Sequence, residues 1–420
     1  MDRPLHIVFI TIADLPEGGG NTSRLKSVVQ ALSASGHHVS ILNEHALGVS
    51  PPSMQNPKGE IAGAEFEYVL GSVERQYGYG VTTAKLRAVR AISRRLRQLA
   101  SEGKLDVIWF NQLFFYDMYP LTRLARKLGV ATIQAYEDER QELVTSERRS
   151  VAKRLFALNS RAADRWCPPL ADGIVVISRY LQEKYARLTH APEKVHLLPT
   201  VVDCKAWECG PEPVTDEPVI LYTGNFGEQD EVENLISALG ILRDHGTRFR
   251  FVSVGGNTRT GEQGREARVD ALIQKLGLAA RVERRGFMPL SDVRKEVAKA
   301  SILVNLRRDG VWSHSGLSTK LSEYLASGRL VLASRVGDAD YYLKHGESAL
   351  LISPQCPVHE IVDALSFALA SPESRRRTGN TGRMVALDQF GVPVAQKRLE
   401  SLLQNVLRCA SARETRAGQS

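Results

Sequence analysis

Short apolar runs alternate along this chain with segments whose apolar residues return every three or four positions, and that alternation limits the folds open to it. In the first half, Leu5–Ile12, Val39–Leu42, Asp106–Phe110, Val130–Ala135, Gly173–Ser178 and Val195–Leu198 read as strands, with helical patterns between most of them. A glycine loop, Gly18-Gly19-Gly20, precedes the first helix, which Asn21 is placed to cap and which reaches Ser35. In the second half, strands at Val219–Thr223, Phe249–Val254, Arg281–Arg285, Ile302–Leu306, Leu330–Ala333 and Leu350–Ile352 alternate with helices near 231–244, 266–276, 290–299, 316–327 and 357–369. Parallel neighbours need crossover connections, and helices supply them, so the pattern predicts parallel sheets wrapped on both faces. The proline-, glycine- and acid-rich stretch Cys209–Pro218 marks a linker. The expected architecture is α/β, with two doubly wound Rossmann-like domains facing each other across a ligand cleft at the carboxyl ends of their strands.

With 43% apolar residues among 420, the chain can bury real cores, which excludes disordered and fibrous classes. No stretch approaches the roughly 20 apolar residues of a membrane span, and Met1-Asp2-Arg3-Pro4 opens no secretory signal, so the expected location is cytoplasmic. The five cysteines are scattered and lack zinc-ligand spacing. A net charge of +8 with 7% aromatic residues argues against nucleic acid as a partner and suits an anionic small ligand or a membrane surface.

The most informative stretch is Ser315-Gly-Leu-Ser-Thr-Lys-Leu-Ser-Glu-Tyr-Leu-Ala-Ser-Gly328. At helical spacing Gly316, Lys320, Glu323 and Ser327 share one stripe, beside an apolar stripe of Leu317, Leu321, Tyr324 and Leu325. A helix start with open N–H groups and a lysine in its first turn is a phosphate site, and a glutamate one turn later can accept two ribose hydroxyls. The alternative is a solvated Lys–Glu pair worth about 0.3 kcal/mol.

This segment resembles the C-terminal motif of the family 4 (group 1) glycosyltransferases of the GT-B fold. Other motifs fall in that family's order: Gly18-Gly19 with Arg24, Leu32 and Gly36-His37-x-Val39; Gly173-Ile-Val-Val-Ile-Ser178; Leu198-Pro199 with Asp203; Leu221-Tyr-Thr-Gly224 with Leu235-Ile-Ser-Ala238; Val254-Gly-Gly256; Arg285-Gly286-Phe287; and Gly346-Glu-Ser-Ala-Leu-Leu351. The resemblance implies a retaining transferase, free of metal and of cofactor, that takes a nucleotide-diphosphate sugar in the C-terminal domain and a glycan or lipid-linked acceptor in the N-terminal domain. It implies work on surface polysaccharide or another glycoconjugate. Lys320 and Glu323 would be the catalytic pair, Glu323 on the ribose hydroxyls and Lys320 with the N–H groups of Ser318 and Thr319 on the diphosphate. Gly19 and Gly20 would add backbone donors from the other domain, and the loop Gly286-Phe287-Met288 would contact the base. Arg24, Glu137 and Asp138 would lie on the acceptor side. The implied division is residues 1–210 and 211–380, a helical segment 381–410 returning to the first domain, and a disordered tail 411–420.

The chain departs from the family at defined places. Where many members carry an Arg and a Lys on the diphosphate it has Asn225 and Asp230, so Arg307 or Arg308 would share the charge compensation with Lys320, and Gly224-Asn225 would meet the diphosphate. Where the family has a first glutamate on the donor sugar, eight positions before Glu323, stands Ser315. The family's histidine falls near Asn111, and its His-Asp pair reads Tyr136-Glu137-Asp138, where the carboxylates either orient an acceptor hydroxyl or cap the next helix.

Other features stay open at this level. His37 reads as a structural turn residue, and Asp338-Ala-Asp340 as a turn rather than a metal signature. The segment Ala84–Leu99 carries Lys85, Arg87, Arg90, Arg94, Arg95 and Arg97 with no acid, its Arg87-Arg90-Arg94-Arg97 stripe opposite Val89-Ile92-Leu96-Leu99, and a second basic stretch spans 148–165. Each is either a solvated face or a contact for the anionic inner face of a membrane. Two other functions fit the same architecture: a nucleotide-binding scaffold without transfer, and a sugar-nucleotide 2-epimerase. A dinucleotide oxidoreductase is disfavoured because the glycine loop lacks the Gly-x-Gly-x-x-Gly fingerprint.

Overall fold

The computed structural model describes residues 3–45, 55–73, 79–111, 114–139, 151–224, 226–227, 229–256 and 263–417. The chain forms two compact units, one from the residues up to Pro199 together with those from Val392 onward, the other Thr200–Gly391.

The first unit is built on strands β1 (His6–Thr11), β2 (His38–Asn43), β3 (Lys58–Ile61), β4 (Ala64–Tyr68), β5 (Val107–Asn111), β6 (Ala131–Tyr136), β7 (Gly173–Val176) and β8 (Val195–Leu197). They form one sheet in the order β3-β4-β2-β1-β5-β6-β7-β8, parallel throughout except for the β3–β4 hairpin. Every residue of β5 and β6 is buried, as runs sandwiched between helix layers require. Helices α1 (Gly20–Ala34), α2 (Tyr79–Ser101), α3 (Phe115–Lys127), α4 (Val151–Trp166) and α5 (Arg179–Thr189) make the connections. Because β2 lies to one side of β1 and β5–β8 to the other, right-handed crossovers put α1 on one face of the sheet and α2–α5 on the opposite face.

The hairpin is the element that the continuous apolar runs did not announce. In β4, Ala64, Phe66 and Tyr68 are buried while Glu65 is exposed and Glu67 half-buried, the alternation of a strand wet on one face, and Ala62 and Gly63 turn at φ 50° and 82°. The first helix begins two positions earlier than Asn21 suggested: Gly19 occupies the N-cap, and the Asn21 side chain accepts from Asn111 Nδ2 at 3.4 Å.

The second unit has strands β9 (Val219–Thr223), β10 (Arg250–Val254), β11 (Val282–Arg284), β12 (Ile302–Asn305), β13 (Leu330–Ser334) and β14 (Leu350–Ile352), all parallel, in the order β11-β10-β9-β12-β13-β14. Helices α6 (Val232–Asp244), α7 (Gln263–Lys275), α8 (Leu290–Lys299), α9 (Val311–Ser315), α10 (Thr319–Ser327), α11 (Ala339–Tyr342), α12 (Val358–Ala370) and α13 (Pro372–Gln389) surround it. One core cluster joins Ile220, Tyr222, Phe226, Leu239, Phe251, Val304 and Leu332.

The divisions fall at Pro199 and Gly391 rather than near 210 and 380, for a physical reason. Residues 200–209 are bonded into the second unit, Thr200 to the Leu317 carbonyl at 3.3 Å and the Cys209 N–H to Ser327 at 3.3 Å, while α13 runs unbroken past 380. The last helix, α14 (Val392–Ala417), belongs to the first unit. It carries helix through residues 411–417, where the sequence suggests disorder, because Arg413 pairs with the buried Asp172 at 2.7 Å. Gly173 allows this approach: a Cβ there would lie 2.4 Å from a Val406 methyl.

Candidate functional site

In the second unit the strand order reverses between β9 and β12, and open α/β sheets bind ligands at such a point, beyond the carboxyl ends of the strands. Three loops converge there. Gly224 follows β9 and donates to the Val254 carbonyl at 2.9 Å, and Gly255 follows β10 and donates to the Gly286 carbonyl at 2.7 Å. Gly255 holds φ 103°, and a Cβ on it would sit 2.2 Å from the Gly224 oxygen, so no other residue fits.

Helix α10 points its N-terminus at the same place. Tyr324, wholly buried, accepts from the Thr223 N–H at 2.9 Å and ties the helix to the end of β9. The Ser318 hydroxyl is turned to Asn305 Oδ1 at 3.2 Å and does not cap the helix, whose first N–H groups therefore receive no cap from it. Lys320, in the first turn, sets its ammonium 3.2 Å from Asp230 Oδ2 and 5.0 Å from the centre of the Tyr222 ring. Tyr222 donates to the same carboxylate oxygen at 2.6 Å. A Cβ on Gly224 would come within 2.4 Å of the Tyr222 oxygen and 3.0 Å of the Lys320 nitrogen, so the glycine is what lets this group assemble.

Burial alone would raise the Asp230 carboxyl, but the Lys320 charge, the Tyr222 hydrogen bond and the Arg307 charge outweigh it and hold the group below the usual aspartate value. Burial first, and then the Asp230 charge, push the Tyr222 phenol well up, so it stays a neutral donor. The loop carrying Asp230 is gripped by arginines. Arg265, buried, donates to the carbonyls of Gly227 at 2.7 Å and Asp230 at 2.8 Å and pairs with Glu233. Arg307 donates to the Gln229 side chain and Arg308 pairs with Glu231, each at 2.5 Å. Phe226 holds a left-handed φ of 54°, which costs about 1–2 kcal/mol, and is buried against Tyr222 under the Arg284 guanidinium.

The residues singled out in the sequence divide accordingly. Ser318, Thr319 and Lys320 lie together at the helix start, and Glu323 is buried one turn on; α10 begins at Thr319, so Gly316 is not on its stripe. Gly224 adjoins Lys320; Asn225 lies outside the described residues. Arg307 belongs to the cluster by its charge on Asp230, whereas Arg308 is half-exposed and turned to Glu231. Phe287 is 40% exposed in the loop after β11, with Met288 beside it half-buried. Ser315 is wholly buried in α9, its hydroxyl donating to the Trp312 carbonyl at 3.4 Å, so it is not presented with the others. Asp230 was noted only as the residue standing where the family has a lysine; its pairing with Lys320 and the clamp by Arg265 were missed, because both depend on residues that only the fold brings together.

In the first unit Gly19 and Gly20 form the start of α1. Arg24 and Glu137, both buried, pair at 2.9 Å, and Arg24 also donates to the Leu198 carbonyl at 2.9 Å, leaving Nη1 buried without a hydrogen bond. Arg24 thus fastens α1 to the ends of β6 and β8, while Asp138 is exposed. The expectation missed a buried carboxyl pair at the sheet's carboxyl edge. Burial first, then the neighbouring Asp117, raises Glu44 well above the usual glutamate value against an opposing pull from Lys85. Asp117 is itself held by the N–H groups of Phe114 at 2.7 Å and Met118 at 2.6 Å.

His37 is structural: it accepts from the Leu5 N–H at 3.2 Å and meets Glu400 at 2.9 Å. Asp338 precedes α11 as its N-cap, and Asp340 pairs with Arg335 at 2.5 Å. In α2 the buried row is Ala88, Ile92, Leu96 and Leu99, with Ala88 in the place expected for Val89, and Arg87, Arg90, Arg94 and Arg97 are exposed. Among the described residues no helix is long and apolar enough to cross a membrane.

Comparison with known proteins agrees with this construction. The family model for glycosyl transferases group 1 matches residues 210–385, and that for the glycosyl transferase 4-like domain matches residues 19–200. The chain is 25% identical over 318 residues to the MMP alpha-(1->4)-mannosyltransferase of Mycolicibacterium hassiacum, covering 73% of this chain and 71% of that one. Among solved structures, sucrose-phosphate synthase from Thermosynechococcus elongatus superposes with a TM-score of 0.72 at 18% identity, over 97% of this chain and 100% of the other. The Anabaena protein HepE, in complex with UDP-glucose, does so with a TM-score of 0.68 at 15% identity, over 95% and 99%. With two family models lying end to end over both units and the fold shared throughout, the chain belongs to the group 1, family 4 type glycosyltransferases of the GT-B fold.

Proposed function

We propose that this glycosyltransferase moves a hexosyl unit from a nucleotide-diphosphate sugar to a hydroxyl of a glycan or lipid-linked acceptor, with retention and without a metal ion or cofactor, in the assembly of a surface polysaccharide or other glycoconjugate. The observation that carries the reading is the position of Lys320: an ammonium in the first turn of a nine-residue helix, at the carboxyl edge of the sheet where the strand order reverses. The UDP-glucose held by HepE, of the same fold, supports a donor of this class.

In this reading the diphosphate lies at the start of α10, against Lys320 and the N–H groups of Ser318 and Thr319, with Gly224 allowing close approach and Arg307 adding charge. Glu323 accepts from the ribose hydroxyls, and Phe287 and Met288 flank the base. The N–H groups of Gly19 and Gly20 add to those that hold the donor, and the unbonded Nη1 of Arg24, Glu137 and Asp138 serve the acceptor. The bond from the anomeric carbon to the phosphate oxygen breaks as the acceptor oxygen bonds to that carbon on the same face, and the acceptor's proton passes to the departing phosphate oxygen. Charge grows on the diphosphate in that step, and oriented cations and N–H groups lower the barrier most when they need not reorganise. Lys320 is held in place by Asp230, so this condition is met before the donor arrives.

The test is thermal-shift stabilisation by UDP, GDP, ADP, CMP and NAD at saturation. A ligand at 100 times its Kd that binds only the folded chain adds about 2.7 kcal/mol. A rise with one nucleoside diphosphate that is lost in Lys320→Ala supports the site and selects the donor series for transfer assays, in which NMR of the product reads the anomeric configuration. Stabilisation by none of them sinks the reading.

A further inference from the structure

Helices α2, α3 and α4 line one face of the first unit's sheet, and their outer surfaces share one property. Two acidic residues occur within the three, Asp117 and Asp164, and both are buried. Asp164 pairs with Lys184 and accepts from Tyr185, each at 2.8 Å. The exposed side of this layer therefore carries cations with no carboxylate from the same helices: the arginine stripe of α2, Arg123, Arg126 and Lys127 of α3, and Arg154, Arg161 and Arg165 of α4.

On α4 the cations accompany apolar groups that face solvent. Ala157, Ser160, Ala163 and Asp164 turn inward, while Leu155 is 61% exposed, Leu158 59% and Trp166 55%. At 100° per residue Arg154, Leu158, Arg161 and Arg165 lie within a sector of about 60°, with Leu155 and Trp166 about 60–80° to the side of it on which Leu158 lies. Arg165 stacks its guanidinium 5.4 Å from the Trp166 ring. A single exposed leucine is ordinary, but two leucines and a tryptophan interleaved with three arginines and no acid form the outer face of an interfacial helix.

We infer that this face of α4, flanked by the basic surfaces of α2 and α3, seats the protein on an anionic lipid bilayer, with Leu155, Leu158 and Trp166 entering the headgroup boundary and the arginines meeting lipid phosphates. The observations favour lipid over other anions. A nucleic acid would use the arginines but gain little from leucines on a convex helix, whereas a bilayer uses both, and a tryptophan beside a cation suits the water–hydrocarbon boundary. The inference does not depend on the donor site, because it uses no residue of the second unit.

The test is sedimentation of the full chain with vesicles of phosphatidylcholine and phosphatidylglycerol in equal parts, against phosphatidylcholine alone, at low and high salt. Binding to the anionic vesicles, weakened by salt, is expected. Arg154→Glu/Arg161→Glu/Arg165→Glu lowers partitioning by about a hundredfold or more, at about a fivefold loss for each of the three charges removed near the surface. Leu155→Ser/Leu158→Ser lowers it by about tenfold or more, and the remaining binding becomes fully reversible by salt. Because these side chains are exposed, both variants should unfold at the wild-type midpoint, and nucleoside-diphosphate stabilisation should be unchanged in each. Wild-type protein that stays in the supernatant at low salt, or serine variants that bind as the wild type does, would overturn the inference.

Discussion

Lys320 and Asp230, ninety residues apart, meet at 3.2 Å, and the carboxylate oxygen that receives the ammonium also receives the Tyr222 hydroxyl at 2.6 Å. The aspartate thus does two opposing things. It fixes the lysine at the start of α10, and it takes up part of the charge that a diphosphate would otherwise use.

The pair should therefore respond unequally to mutation. Asp230 is nearly inaccessible while the Lys320 side chain is 25% exposed. Lys320→Met leaves a buried carboxylate without its main counter-charge and should lower the unfolding free energy by about 3 kcal/mol. Asp230→Asn keeps a partner for Tyr222, leaves a cation that can reach water, and should lower it by about 1–2 kcal/mol. Nucleoside-diphosphate affinity should fall in the first variant and rise in the second. Urea unfolding and calorimetric titration of the two proteins read both effects, and a larger loss of stability in Asp230→Asn would contradict the assignment of burial.

Two buried carboxyls give opposite pH signatures. Asp230 is held below its usual value of 3.8, so its contribution is present above that pH and is lost as pH falls through the depressed value. Glu44 is held well above 4.5, so the folded chain keeps its proton longer than the unfolded one does. Its contribution is full below 4.5 and is lost as pH rises through the raised value. Glu44→Gln cannot lose a proton, so its stability relative to wild type should improve steadily as pH rises above about 4.5. Unfolding midpoints measured across that range check the sign; a difference that does not change with pH would mean that Glu44 ionises normally.

How much of this was legible before the structure follows from what each signal measures. Apolar runs report strands buried on both faces, so β5, β6, β9, β10 and β12–β14 stood out, whereas the hairpin β3–β4, wet on one face, did not. Lys320 and Glu323 were visible because their chemistry is local to one helix. Asp230 was not, since its meaning comes from a lysine brought to it by the sheet. The boundary near Pro199 was hidden for the same reason: the proline-rich stretch at 209–218 looks like a linker, but the residues before it are already bonded to α10 and its neighbours.

Glu323 offers a test of specificity. It is buried on α10 one turn beyond Lys320, where a carboxylate can accept two hydroxyls at once. Glu323→Gln keeps the shape and loses the charge, and hydrogen bonds to a charged group are worth about 1.5–3 kcal/mol. Nucleoside-diphosphate affinity should drop about tenfold or more, with a smaller loss for the 2′-deoxy nucleotide, which has one hydroxyl fewer to lose. Equal losses for the two nucleotides would remove Glu323 from the ribose.

The last prediction concerns the glycines that let the site close up. At Gly255, alanine meets two obstacles: φ of 103°, which side chains rarely adopt, and a backbone oxygen 2.2 Å from the new methyl. Backbone cannot move aside as a side chain can, so Gly255→Ala should destabilise the second unit by about 1–3 kcal/mol and part the loops after β9 and β10. Gly224→Ala presses instead on the Tyr222 hydroxyl and on the end of the Lys320 chain. The lysine is flexible and can swing away, but the Tyr222 ring, buried and bonded to Asp230, cannot, so this variant should lose nucleotide affinity along with stability. Measuring unfolding and nucleotide binding on both variants separates the two roles: Gly255 holds the loops together, and Gly224 keeps the space in which Lys320 meets its ligand.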